Sequence, residues 1–565
     1  MSAHASLSGT EAIKAASSGL RGSIAAELAA TSARGGISEG AYTLLKFHGT
    51  YEQFDRDTAT ELKQSGADKA WSFMVRVRAP AGQLTANQWL ALDRLADTTG
   101  DGTLRLTTRQ GVQYHGVLRE NVKATIAGIN ATLLTSLAAC GDVVRNVITT
   151  AAPRRDPLHR ALADEAHRLS TALLPRSRSH HEIFLDGAPA GAPETEPLYG
   201  PTYLPRKFKI ALAAPSDNAP DVLSNDLGFI AHLVRGRLAG WIVTIGGGMG
   251  MTHNKPATYP RLADPIAFIR PDEVLEMAEA VVRLSRDYAD RSDRKHARLK
   301  YLVAEQGVDW VRARLEADLG HPLALPPPLP RLQVPDPLGW HHQGDGRHWL
   351  GLPIPAGRIA DTGPVRLRTA IRDIVQAFGA TPIVTPQQDL ILSDLYESDR
   401  ADIEAILRSH GVTLAEDLSP IARATLACVA LPTCGQSLAE GERVRTPILA
   451  DIEAALGRHG LLGQRMSLRI TGCPNGCARP YGGDIGIVGR APDRYTVFVG
   501  GDFEGTRLSF PLADKIRTAA IADTLDPLFA AFAAQGRAGE GFGDFCHRLG
   551  PDTARALLIR EPVEA

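Results

Sequence analysis

Apolar and polar residues alternate along Phe73–Gly82, FMVRVRAPAG, and the alternation stops at Pro-Ala-Gly. That pattern predicts a half-buried strand running into a turn. Trp349–Gly357, WLGLPIPAG, ends in the same tripeptide. Helical periodicity follows each stretch, over Thr85–Leu95 in the first case and Val365–Phe378 in the second. Another short strand comes next, Thr103–Arg109 (TLRLTTR) and Thr381–Pro386 (TPIVTP), each followed by Gln. A weaker echo links Asn225-Asp-Leu-Gly-Phe-Ile and Gly240–Gly248 to Gly483-Asp-Ile-Gly-Ile-Val and Tyr495–Gly501. Four segments in the same order predict an internal duplication of α+β units. Residues 321–337 are too dense in proline for helix or central strand, and read as a stiff linker between the copies.

Composition narrows the class. At 565 residues, 44% of them apolar, the chain exceeds one ordinary core, so two or more domains are expected. Its 62 basic and 63 acidic residues nearly cancel, which argues against a general nucleic-acid or membrane-surface binder. Six cysteines in such a length do not make a disulfide scaffold, and a reducing, cytoplasmic setting is expected. No apolar run reaches membrane-spanning length. The first 35 residues, Ala- and Ser-rich with Lys14, Arg21 and Arg34, faintly resemble a transit segment but lack a secretory apolar core. An ordinary cytosolic N-terminus is the better reading.

Four cysteines fall into two close pairs, Cys428 with Cys434 and Cys473 with Cys477. Zinc favours tighter spacing than the first pair offers. The loop Cys473-Pro-Asn-Gly-Cys477 combines a residue of fixed φ with one that tolerates positive φ. Such a loop can wrap two sulfurs around one face of an iron–sulfur cluster. Cys140 and Cys546 stand alone and read as packed or surface thiols.

Cations gather in short segments: Arg76 with Arg78, Arg105 with Arg109, Arg145, Arg206-Lys-Phe-Lys209, and Asp293-Arg294-Lys295 with Arg298 and Lys300. Alternation places Arg76 and Arg78 on one strand face, and likewise Lys207 and Lys209. Each segment alone would be a solvated strand face. Together, in a neutral chain, they suit a polyanionic cofactor or a small oxyanion. Gly246-Gly-Gly-Met-Gly250 could let backbone approach a ligand, but it does not fit a dinucleotide fingerprint.

These residues resemble the sulfite and nitrite reductase family, on its assimilatory sulfite-reducing side, from about Leu20 to about Arg548. The resemblance runs through Phe47-His-Gly-Thr-Tyr, RLTTRQ with Gln113-Tyr-His115-Gly, Arg145-Asn, Tyr203-Leu-Pro-Arg-Lys-Phe-Lys209, both cysteine pairs and Gly539-Glu-Gly-Phe-Gly-Asp544. It implies a 4Fe–4S cluster on Cys428, Cys434, Cys473 and Cys477, with Cys477 also ligating a sirohaem. It implies Arg76, Arg145, Lys207 and Lys209 around the substrate, and Arg105, Arg109, Gln113 and His115 against sirohaem. The implied activity is six-electron reduction of sulfite to sulfide in sulfate assimilation. Nitrite reduction to ammonia is the alternative, and Lys209 weighs toward sulfite. The electron donor is an external ferredoxin or an NADPH-dependent flavoprotein subunit. Gly248-Met-Gly250, Thr252-His253 and Cys477-Ala-Arg-Pro480 resemble the ferredoxin-linked branch.

The implied fold is α+β, a pseudo-twofold duplication with ferredoxin-like half-domains and two α/β sirohaem/cluster domains. On that plan residues 1–65 form an N-terminal extension wrapping the core and 66–150 the first half-domain. Residues 151–335 form the first sirohaem-binding domain, 336–420 the second half-domain, and 421–565 the cluster and sirohaem domain.

Overall fold

The computed structural model describes residues 7–30, 35–177, 179, 184–185, 188–189 and 196–558. Arg34, read above as part of a basic N-terminus, lies outside the described residues. Among them, no helix is long and apolar enough to cross a membrane.

The duplication is visible in two pairs of sheets. In the first small sheet Thr50–Phe54 pairs with Trp71–Val77, which pairs with Val112–Val117, which pairs with Leu104–Leu106. In the second, Gly339–His342, His348–Leu352, Leu390–Leu395 and Thr381–Val384 follow in the same order, and every pairing in both is antiparallel. The larger sheets match too. Ile210–Ala213 runs parallel to Leu227–Val234, then Arg237–Ile245 and Asp264–Ile269 follow antiparallel. In the second copy Leu468–Thr471 runs parallel to Ile485–Ala491, with Arg494–Val499 and Phe510–Ile516 antiparallel beyond it.

The predicted helices form where the periodicity placed them. Ala86–Thr99 starts at a capping box, in which Thr85 and Gln88 satisfy each other's backbone N–H groups. Leu367–Phe378 ends at Gly379, whose φ of 65° is the left-handed stop expected of glycine. The strand expected over Thr103–Arg109 is shorter, Leu104–Leu106. A tight turn replaces the rest, because Thr107 Oγ1 accepts the N–H groups of Arg109 and Gly111, and Gln110 sits at φ 49°. The strand expected through Lys207 and Lys209 begins only at Ile210. Phe208 between them makes a single parallel bridge to Val144.

The two halves dock by exchanging the same turn. Each Pro-Ala-Gly tightens into a single turn with Ala at φ 53°, Ala81 in one and Ala356 in the other. Gly82 and Gly357 follow at φ 76° and 75°. A β-carbon on Gly82 would lie 2.1 Å from the Val384 carbonyl, and one on Gly357 2.3 Å from the Leu106 carbonyl. Each turn therefore packs on the strand end of the opposite half. Gln83 bridges Ile383, while Arg358–Ile359 joins the first sheet beside Leu104–Leu106. Gln110 donates to Ala81 and Val384 carbonyls at 2.9 and 3.0 Å, and Gln388 donates to Ala356 at 3.4 Å. The repeated glutamine is thus Gln388, one residue beyond the Gln387 that the sequence alignment suggested. The proline-rich segment is packed rather than free: Leu332, Val334 and Leu338 are buried, and Gln333 exchanges backbone hydrogen bonds with Pro215 and Asn218.

Gly82→Ala should destabilise the chain by about 2–4 kcal/mol, from positive-φ strain plus the clash. Gly457→Ala, in the helix Arg445–Arg458 with nothing within 4 Å, should be neutral or stabilise by up to about 1 kcal/mol. Thermal unfolding of both variants checks this, and equal melting temperatures would contradict the docking role of the turn.

Candidate redox centre between the two halves

The cysteine loops are built by the second copy and held by the first. Cys428 follows the strand Thr425–Ala427, and its N–H donates to Ile470 O at 3.0 Å. Its sulfur accepts from Gly472 N–H at 3.3 Å. A β-carbon on Gly441 would meet Cys428 O at 2.6 Å, and one on Gly472 would meet Ser437 Oγ at 2.1 Å, so both loops close only with glycine there. Arg56 reaches from the N-terminal region to the Ser437 carbonyl at 2.5 Å. Gly246–Gly250 lies against the second pair: Met251 N–H donates to Pro474 O at 2.9 Å. Thr108 Oγ1, in the turn after Leu104–Leu106, donates to the Cys477 carbonyl at 3.1 Å.

All six cysteines are free thiols. Burial, and then the charge of Cys477, raises the Cys428 pKa far above its usual value; Cys434 is raised by the same two causes. Burial and Cys477 push Cys473 up to about 12. Cys477 is among the charges that raise each of the other three, and the Gly472 N–H on Cys428 Sγ ties the two loops together. Yet among the described residues no three His, Cys, Asp or Glu side chains are arranged to hold one metal ion. Two cysteine pairs on loops that bond to each other suit a polynuclear cluster, whose several irons share four thiolates. Buried Thr433 and Thr471 hydroxyls beside Cys434 and Gly472 have no hydrogen-bonding partner among the described residues.

The cations converge on the same interface from the first half. Arg76 donates to Cys140 Sγ at 2.6 Å, and with the Gln113 amide turned to suit, also to Gln113 Oε1 at 2.6 Å. Arg78 is consumed by structure: it bonds the Ser170 side chain and the carbonyls of Ala138, Val144 and Ser170. The tight turn splits the other pair. Arg105 points to Glu442 and to the Ala427 carbonyl at 3.0 Å, beside the first cysteine. Arg109 turns back to the carbonyls of Asn146 and Ile210 and to Asn225 Oδ1.

Arg145, Lys207 and Lys209 are left facing one another. Burial opposes the Arg145 charge, but Tyr51 and Cys140 beside it outweigh burial and raise its pKa. Its buried Nε has no hydrogen-bonding partner among the described residues. Burial, then Arg145 and Lys209, drives the Lys207 pKa far below the usual lysine value. Burial, then Arg109, Arg298 and Arg145, does the same to Lys209. Both lysines are half-buried, at the edge of the space the cations share. His115 is buried with both ring nitrogens unpartnered, and burial followed by Arg358, Arg105 and Arg76 holds it neutral. Orphaned donors and surplus positive charge in one place fit a polyanionic group such as sirohaem, together with a small oxyanion.

The sequence motifs did not reveal four supporting residues. Asp226 neutralises Arg298 at 2.8 Å and accepts the Lys209 N–H at 2.9 Å. Glu442 serves Arg105 and Arg358, and Asp142 accepts from Arg294 at 2.6 Å. Lys46 lies 3.7 Å over the Tyr42 ring, its pKa lowered to about 8 by burial and then Arg294. Each is an isolated charged residue in sequence, and only the fold reveals its partner. Cys140 touches Arg76 rather than the four-thiol group, and Cys546 is buried in the second half's apolar core.

Comparison with known proteins identifies the family. The family described as "Nitrite/Sulfite reductase ferredoxin-like half domain" matches residues 68–132 and 341–410, and "Nitrite and sulphite reductase 4Fe-4S domain" matches 165–323. Proteins named sulfite reductase (NADPH) hemoprotein beta-component match along almost the whole chain. The one from Methylobacterium nodulans is 45% identical, covering 97% of this chain and 91% of its own. The one from Myxococcus xanthus is 44% identical, covering 98% of each. The chain belongs to the nitrite and sulfite reductase family. The Mycobacterium tuberculosis NirA protein, at 24% identity, shares the fold with a TM-score of 0.78 over 97% of this chain and 98% of its own. In this family member the matched 4Fe-4S domain, 165–323, is the copy that supplies Lys207 and Lys209, whereas the four cysteines lie in the other copy.

Lys207→Met should stabilise the cofactor-free protein by roughly 0.5–2 kcal/mol while abolishing useful activity. The native pKa of Lys207 lies below its unfolded value. The unfolded chain therefore binds the extra proton, and the wild-type penalty is full at low pH and fades as pH rises toward 10.5. The variant's advantage in denaturant unfolding should shrink over the same range, and an advantage that grows with pH would contradict the buried-charge account.

Proposed function

We propose that this chain is the haemoprotein component of an assimilatory sulfite reductase and reduces sulfite to sulfide. The observation that carries this is the meeting, in one interface, of two interlocked cysteine loops with a surplus of cations, where His115 and Arg145 Nε lack hydrogen-bonding partners among the described residues. The relatives above are named for sulfite, so the nitrite alternative is not favoured. Cys428, Cys434, Cys473 and Cys477 would hold the 4Fe–4S cluster. Cys477, the exposed member of the four, would be the one shared with the sirohaem iron. Arg105, Arg109, Gln113 and His115 would line the macrocycle. When bound, these groups supply single electrons at low potential to the sulfur of the substrate.

The chain's own residues do the rest. Sulfite is an anion approaching an electron-rich centre, and Arg76 and Arg145 offset that repulsion as permanent charges. Lys207 and Lys209 differ because their protons are loosely held. Burial and neighbouring cations already favour the neutral amine. An arriving anion favours the ammonium again, and its Nζ proton would then be available to a departing oxygen. His115, kept neutral, can donate one N–H to an acidic group without adding charge.

The donor is proposed to be an NADPH-linked partner component, in keeping with the relatives' names. This weighs against the ferredoxin-linked leaning of the loop motifs. Turnover with reduced ferredoxin, compared with NADPH plus a flavoprotein, decides between them.

Lys209→Ala should retain both cofactors and lose at least tenfold in sulfide production with a chemical reductant. Unchanged turnover with intact sirohaem would remove the proton-donor role. Cys477→Ser should lose the coupled haem and cluster spectrum of the purified protein. A normal coupled signal would take Cys477 off the ligand list.

A further inference from the structure

A buried charge cluster adjoining the cysteine loop in sequence has been given no role so far. Asp221, at φ 47°, is buried between the halves. Its carboxylate meets two buried arginines of the second half, Arg469 at 2.6 Å and Arg479 Nε at 2.7 Å. Arg479 also sits in the left-handed region, at φ 57°, two residues after Cys477. Its Nη2 donates to Pro386 O at 3.1 Å, and its own carbonyl accepts from Arg469 at 3.2 Å. Gly505 is forced to be glycine by this arrangement: its β-carbon would lie 2.5 Å from Asp221 Oδ1. Two non-glycine residues in a strained conformation, paired through one carboxylate, are a feature that surrounding structure must over-determine.

The cluster is continuous with the cation side of the interface. Asn225 Nδ2 donates to the Asp221 carbonyl at 3.0 Å, and its Oδ1 accepts from Arg109. A line of hydrogen bonds and ion pairs thus runs from Arg109 through Asn225 and Asp221 to Arg479, two residues after Cys477. Two arginines share one carboxylate, so the cluster keeps a net positive charge behind the thiol loop.

We propose that Asp221, Arg469 and Arg479 clamp the Cys477 loop in place, and that the charge of Arg479 raises the reduction potential of the centre Cys477 holds. A cluster on four thiolates is net anionic and gains another negative charge on reduction. A fixed cation nearby stabilises the reduced form more than the oxidised one. Arg479 is a positioning residue in this account: it touches neither substrate nor the reacting atoms. The proposal rests on Cys477 being a ligand, as argued above.

The experiment is a redox titration of purified holoprotein, followed by optical and electron paramagnetic resonance spectra, for wild type, Arg479→Gln and Arg479→Lys. Iron and labile sulfide are measured on each. Arg479→Gln should shift the midpoint to a more negative potential and lower kcat several-fold, with KM for sulfite changed less than twofold. Arg479→Lys should restore the potential. If Arg479→Gln fails to hold iron while Arg479→Lys holds it, the clamp stands. Iron-loaded Arg479→Gln with wild-type potential and kcat would overturn the proposal alone. Failure of both variants to differ from each other, with both shifted, would overturn the charge role. Wild-type protein lacking iron would overturn the ligand reading and the clamp with it.

Discussion

Half-buried positive charge without matching negative charge is the constraint around which this molecule is arranged. Arg145, Lys207 and Lys209 sit among Arg109, Arg206 and Arg298, and the acids nearby are already committed. Asp226 is taken by Arg298, Asp142 by Arg294, and Glu442 by Arg105 and Arg358. An arrangement of that kind costs stability and persists only where the surrounding scaffold is stiff or a ligand offsets it. Both conditions hold here. The reciprocal Pro-Ala-Gly turns lock the two halves at the interface, and the group implied by the family is polyanionic.

Duplication explains how one site came from two similar halves. The cross-strand pair Arg76 and Gln113 is matched in the second sheet by Gly351 and Ile391. A β-carbon on Gly351 would lie 2.0 Å from the Pro337 carbonyl, so the proline-rich segment occupies the face that Arg76 leaves open. Asp226 accepts the backbone N–H of Lys209, and Asp484 accepts that of Ser467 in the same way. The backbone device is kept in both copies, but only one carries a lysine on it. The second copy instead carries the cysteines. Chemistry has been divided between the halves, with cations from one and thiols from the other, so neither copy could work alone.

What the sequence made legible follows from the range of each signal. Period-two and helical patterns are local, and the repeated strands and helices stood out for that reason. Cysteine spacing is also local, and it singles out Cys428, Cys434, Cys473 and Cys477 as two pairs without a structure. The turn at Thr107–Gln110 was missed because its threonine-to-backbone bonds compete with a run that otherwise reads as strand. That turn sends Arg105 and Arg109 to opposite halves, a separation no spacing rule foretells. Arg78 was grouped with Arg76 on alternation alone, and the alternation was sound. What alternation could not show was that Ser170, 92 residues away, would absorb it.

The same reasoning bears on why proton donation is assigned to lysines rather than arginines here. Arg76 donates to Cys140 Sγ, and Arg145 lies beside Tyr51 and Cys140. A guanidinium keeps its charge by its own chemistry, whatever occupies the site. Lys207 and Lys209 have only cations and burial for company, apart from Asp226, which favours the Lys209 charge. Their protonation therefore depends on what occupies the space between them. A group whose charge follows the substrate's is suited to give up a proton as the substrate loses oxygen, and a group whose charge is fixed is suited to hold the substrate while that happens.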